Sequence, residues 1–188
     1  ACRGRFTRTF RRDWRPALER ELKKGFPNIQ IQQLSFSDPY DYRNPFELVV
    51  IYKIENYARV YGKYFIFKPV VASNLFESFN YHFRLNTQVE NRGYPFRDAC
   101  SKKIVLEEKI QLPEGYQAGA LPEKVEVKGE PASAKGSYVL DNGNLKFSLN
   151  LDLNKRVYQP EDWGTVRDAL KGQQRFAGQM VILEKTSK

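Results

Sequence analysis

Two alternating runs meet at Asp141-Asn142-Gly143-Asn144, and no other stretch limits the fold of this chain so tightly. Asn-Gly at the centre supplies the positive φ values of a type I′ turn, so Ser137–Leu140 and Leu145–Leu153 are expected to form a β-hairpin. The turn sets the phase of the second strand. Leu145, Phe147, Leu149, Leu151 and Leu153 should point inward, and Lys146, Ser148, Asn150 and Asp152 outward. A chain holding this hairpin must supply a sheet that covers one of its faces.

The run Lys103–Leu112 has the same period. Ile104, Leu106, Ile110 and Leu112 share one face, and Val105 is the sole apolar residue on the other, with Lys103, Glu107, Lys109 and Gln111. Pro113-Glu114-Gly115 stops it, because Pro cannot continue a ladder and Gly takes positive φ. Glu108 falls on the apolar face. A buried carboxylate there needs a partner such as an Arg from a neighbouring strand; otherwise the face reaches solvent or a bulge turns Glu108 outward. Glu107 and Glu108 point to opposite faces and so cannot form a glycosidase pair.

Earlier in the chain, Trp14, Leu18 and Leu22, with Ala17, form a helical stripe capped by Asp13 and ended by Gly25 and Pro27. Ile29 to Phe36 alternates with a slip at Gln32-Gln33 that reads as a bulge or two short strands. Phe46–Tyr57 carries apolar residues on both faces and is expected to be a central strand. It is expected to form a hairpin with Val60–Lys68. Val70–Ser78 fits either a strand or a helical turn, and Phe79–Leu85 alternates as a strand with one wet face. Near the end, Pro160–Arg175 reads as a helix burying Trp163, Val166, Leu170 and Phe176. Gly178 ends it, and Gln179–Lys185 closes the chain as a strand.

These elements predict a mainly β fold: an antiparallel β-sandwich of about nine to ten strands, with an N-terminal helix and one helix before the last strand. Residues 1–26 form a basic arm and helix, and residues 27–188 the β-sandwich domain, with a seam near 92–101. The length of 188 residues suits a real core, as do 41% hydrophobic and 14% aromatic residues. No window is apolar enough for a spanning helix. The first residues lack the apolar segment of a signal peptide, and the chain reads as an excised fragment.

The net charge of +9 is concentrated at the start, where nine basic residues face three acidic ones through Lys24. Arg8, Arg11, Arg12 and Arg15 are the candidate docking arm for an acidic partner, with a solvated helix face as the plainer reading. No aromatic residues interleave within this helix to stack bases, so no specific nucleic acid is expected.

Catalytic chemistry is hard to assemble. Cys2 and Cys100 read as unrelated thiols, with a bridge as the alternative if the parent protein is periplasmic. His82 stands on the polar face of its strand beside Arg84 and reads as an exposed imidazole. No cofactor or metal site is expected. Tyr57, Tyr61, Tyr64 and Tyr94 form a candidate binding surface for a peptide or glycan, against packing at the sheet edge.

Several blocks resemble the C-terminal region of bacterial transglutaminase-like and protease-like proteins, in which a papain-like core is flanked by β-domains of unassigned function. They are Val49–Lys53 leading to Gly62–Phe65 and Lys68-Pro69, Arg92–Phe96, Leu112–Tyr116 with Leu121-Pro122, Tyr158–Trp163, and Met180–Lys185. The resemblance covers most of the chain after Phe46 and places the family's catalytic Cys, His and Asp upstream, so no catalytic residue carries over. It implies a non-catalytic accessory domain that packs on, or presents substrate to, a catalytic core of the same parent chain. A periplasmic or cell-envelope location goes with it. The other readings are a free-standing carbohydrate- or peptide-binding module and a hydrolase with an unrecognised carboxylate site.

Overall fold

A computed structural model describes residues 13–72, 85–98, 100–141 and 143–186. The fold is mainly β, built of antiparallel sheets, with a helix at the N-terminal end and another before the last strand. The described residues fall into two compact units, 13–57 and 58–72 with 85–186. This division assigns the first helix to the same unit as the strands that follow it. It falls neither at residue 26 nor in the 92–101 stretch.

In the first unit, helix α1 (Trp14–Gly25) buries Trp14, Leu18 and Leu22, the expected stripe. Asp13 occupies the N-cap position but makes no side-chain cap hydrogen bond, and the Phe26 N–H closes the far end on the Leu22 carbonyl at 3.0 Å. Trp14 packs edge-on against Phe36 at 4.8 Å. Strands β1 (Ile29–Phe36) and β2 (Leu48–Ile54) pair antiparallel, with the register slipping between Ile31 and Gln33. The bulge expected at Gln32-Gln33 is therefore present.

Two expectations for this region are corrected. β2 pairs with β1, not with the Val60–Lys68 run, and among the described residues it has no second neighbour. Its second apolar row is left open, with Val49 and Ile51 exposed. The Val60–Lys68 run is not one strand but two, β3 (Arg59–Tyr61) and β4 (Tyr64–Phe67). Gly62 takes φ +58° between them, and Tyr61 pairs directly with Tyr64. A single glycine able to adopt positive φ thus folds the run back on itself.

The second unit contains two four-stranded sheets. One has the order β6 (Lys102–Gln111), β10 (Asn144–Leu153), β9 (Ala132–Asp141), β8 (Val125–Val127). The other runs β3, β4, β12 (Val181–Lys185), β7 (Tyr116–Ala120). A short ladder joins β5 (Phe96–Arg97) to β11 (Val157–Tyr158). The hairpin prediction holds: Asn144 pairs with Asp141, Gly143 has φ +75°, and the inward row of β10 is fully buried. Asn150, expected outside, is half-buried, because β6 and β9 flank it with Val105 and Lys135.

Helix α2 (Trp163–Gly178) covers the inner rows of β8, β9 and β10, burying Trp163, Val166, Leu170 and Phe176 as expected. A 3-10 turn at Pro160–Asp162 leads into it, with the Gln159 N–H donating to the Asp162 carboxylate at 2.8 Å. Strand β9 starts five residues earlier than the expected Ser137. Its early inward residues are Ala132, Ala134 and Gly136, small enough to admit the helix and too small to register as an apolar strand. β7 was not anticipated either; it pairs with β12 and has little side-chain bulk of its own. Of Val70–Ser78, the described start forms a 3-10 turn at Val70–Ala72, while Phe79–Arg84 and His82 lie outside the described residues.

Candidate functional site

A recess in the second unit runs beside β8. It is a groove of about 800 Å³ with three walls: Thr87 and Gln88 from the loop after Leu85, β8 with Lys124 just before it, and α2 through Asp168, Lys171 and Arg175. Each wall has a physical cause. Gly172 brings α2 close to β8, since a Cβ there would come within 2.9 Å of the Val125 side chain. The loop wall is held by a clip at the start of α2. Trp163 Nε1 donates to the Val89 carbonyl and Arg167 Nη1 to the Glu90 carbonyl, both at 2.9 Å.

The clip is closed by an aromatic stack. The Arg92 guanidinium lies 4.2 Å from the Trp163 ring centre and 4.8 Å from that of Phe96, and Phe96 stacks on Tyr158 at 4.8 Å. The Asn86 carboxamide accepts from the Gln88 N–H at 3.0 Å, shaping the turn that carries Thr87, itself buried. Charge in the groove is mixed. Glu126 pairs with Lys128 at 2.8 Å and Asp168 with Arg167 at 3.1 Å, so both acids are held by cations outside the lining.

A second feature is Glu108. β6 runs without a bulge there, so its carboxylate does point inward, and among the described residues no arginine pairs with it. Instead it accepts the Val71 N–H at 3.0 Å, tying the 3-10 turn to the sheet. Burial pushes its carboxyl above the ordinary range, and the Val71 and Val70 N–H groups offset part of that. Burial, and then the charge of Glu108, push the nearby Tyr138 hydroxyl up as well. The arrangement anchors backbone. Among the described residues, no group of three or more His, Cys, Asp or Glu is placed to hold a metal.

The tyrosines of the expected surface belong to both units. Tyr57 belongs to the first and packs on Phe26 at 5.6 Å. In the second, Tyr61 and Tyr64 are ladder partners, 78% and 37% exposed, with the Lys63 ammonium 5.4 Å from the Tyr64 ring centre. Tyr94 is exposed on the loop before β5. Of the expected arm, Arg8, Arg11 and Arg12 lie outside the described residues. Arg15 pairs with Glu19 at 2.9 Å and donates to the Ile31 carbonyl at 3.0 Å, bracing α1 on β1. Cys100 is an exposed free thiol, and Cys2 lies outside the described residues. The groove escaped sequence reading because its residues come from three separated stretches. The weak signal for it was Val125 and Val127 alternating with Lys and Glu.

The fold has a solved counterpart. A crystal structure from Parabacteroides distasonis, of a protein described provisionally as a protease, is similar with a TM-score of 0.51 at 12% sequence identity. The likeness covers 64% of this chain and 23% of that one, and at this identity it speaks for the fold alone. No curated protein matches the sequence. Residues 61–183 match the model of a family described as a Domain of Unknown Function with a solved structure, DUF3858. That match spans well over half of the sequence and takes in the β6-β10-β9-β8 sheet, most of the other four-stranded sheet and α2, so the chain belongs to the DUF3858 family.

Proposed function

We propose that this chain is a non-catalytic accessory domain of a protease-like, transglutaminase-related protein, packing on or presenting polypeptide to a catalytic core carried elsewhere in the parent chain. The observation that carries the reading is the groove beside β8, whose walls combine a strand edge with charged side chains. The likeness to part of a much longer protease-like chain supports it, as do the short blocks that resemble transglutaminase-like proteins. A periplasmic or cell-envelope location belongs to the same proposal.

The test is enzymatic. Purified chain is expected to turn over neither peptide, amide nor glutamine-donor substrates. The parent protein carrying Lys171→Glu and Arg175→Glu should keep its rate on a small amide and slow on a polypeptide. Turnover by the isolated chain that is lost in Cys100→Ala, at the exposed thiol, would overturn the reading.

A further inference from the structure

The groove touches four consecutive residues, Lys124 to Val127. Successive side chains of a strand point to opposite faces, so a recess lined by all four runs along the strand's edge. That edge is open. β8 is the terminal strand of its sheet among the described residues, paired only to β9 through Val125–Gly136, Glu126–Lys135 and Val127–Ala134. Every second residue of β8 therefore turns its N–H and C=O away from β9, toward the groove.

The charge pattern narrows what fits there. Lys171 and Arg175 stand one turn apart on α2, both exposed, and neither forms an ion pair among the described residues. Lys124 acts on Glu126 through space, while that carboxylate is bound to Lys128. The groove thus offers cations whose own acids are already engaged. Among the described residues no aromatic ring lines it, so this lining offers no platform on which a sugar would stack.

We infer that β8 is a strand-addition site for an extended, acidic polypeptide segment. The segment's backbone pairs with the outer edge of β8, and its carboxylates reach Lys171 and Arg175. This rests on the polypeptide-handling role proposed above, and names the class of polypeptide.

The test uses the whole chain and a fluorescein-labelled ten-residue peptide alternating Glu with Val, read by fluorescence anisotropy. Binding is expected, weakening with salt, and a Lys-Val counterpart should not bind. Lys171→Glu with Arg175→Glu should weaken it by about tenfold or more; both positions are exposed, so the fold is not at risk. Two N-methylated peptides, modified at odd or at even residues, separate edge pairing from simple charge attraction. One phase should abolish binding and the other spare it. Equal binding of both methylated peptides, or of the Lys-Val peptide, overturns the inference. Absent binding by the chain overturns it too, and leaves an accessory packing role standing. Peptide binding with no effect of the double variant on the parent's polypeptide activity upholds the site and sinks substrate presentation.

Discussion

The ring of Phe176 occupies the space a side chain at Gly136 would need: a Cβ built on Gly136 would come within 2.6 Å of two of its ring carbons. Phe176 also lies nearly parallel to Phe147, with 5.7 Å between ring centres and 14° between planes. The absence of a side chain on β9 is thus what lets α2 settle on the sheet. Gly136→Ala should cost about 1–3 kcal/mol by overpacking. Denaturant melts of Gly136→Ala with and without Phe176→Leu test this; losses that simply add would mean the two positions do not compete for space.

Leu149 and Asn150 divide the two faces of β10. Leu149 is 1% exposed, and Leu149→Ala should cost about 2–5 kcal/mol. Asn150 carries a buried side-chain oxygen with no hydrogen-bond partner among the described residues, so Asn150→Val should be neutral or stabilising within about 1 kcal/mol, as Val also suits a strand. A larger loss at Asn150 than at Leu149, measured by urea unfolding, would place the hairpin one residue out of register.

Glu108 should make stability depend on pH in a direction unusual for a carboxylate. Burial raises its folded pKa, so its favourable contribution is fully present below the unfolded pKa and is lost as pH rises through the folded one. Glu108→Gln should therefore flatten the stability profile across that window. Glu108→Ala should cost about 1–3 kcal/mol by leaving the Val71 N–H without its acceptor. Thermal melts from pH 4 to 8 decide it: a wild-type profile rising with pH relative to Glu108→Gln would contradict this assignment.

Arg92 holds the loop wall of the groove through two aromatic faces. Arg92→Ala should speed amide hydrogen exchange through residues 86–90 and cost about 1–2 kcal/mol. Arg92→Lys should recover only part, because an ammonium lacks the planar face that stacks on Trp163. Unchanged exchange in that loop would show that the Trp163 and Arg167 hydrogen bonds to Val89 and Glu90 suffice.

Where bulk alternates with charge, the sequence alone determined the structure. Leu145 to Leu153, Lys103 to Gln111, the stripe Trp14-Leu18-Leu22 and the buried side of α2 each encode their burial locally, because side-chain period and turn chemistry act over a few residues. The mainly β class and the position of both helices follow from them. Tertiary structure decided what such periodicity does not carry. Strand partners are one case: β2 reads as central from two apolar rows yet pairs only with β1 among the described residues, since pairing depends on which edges meet. Small-residue strands are another, for Ala132, Ala134 and Gly136 are buried by the arrival of α2 and not by their own hydrophobicity. The groove is the third. Thr87, Glu126 and Arg175 are far apart in sequence, and only the packing of a loop and a helix against a strand edge gives them a common wall.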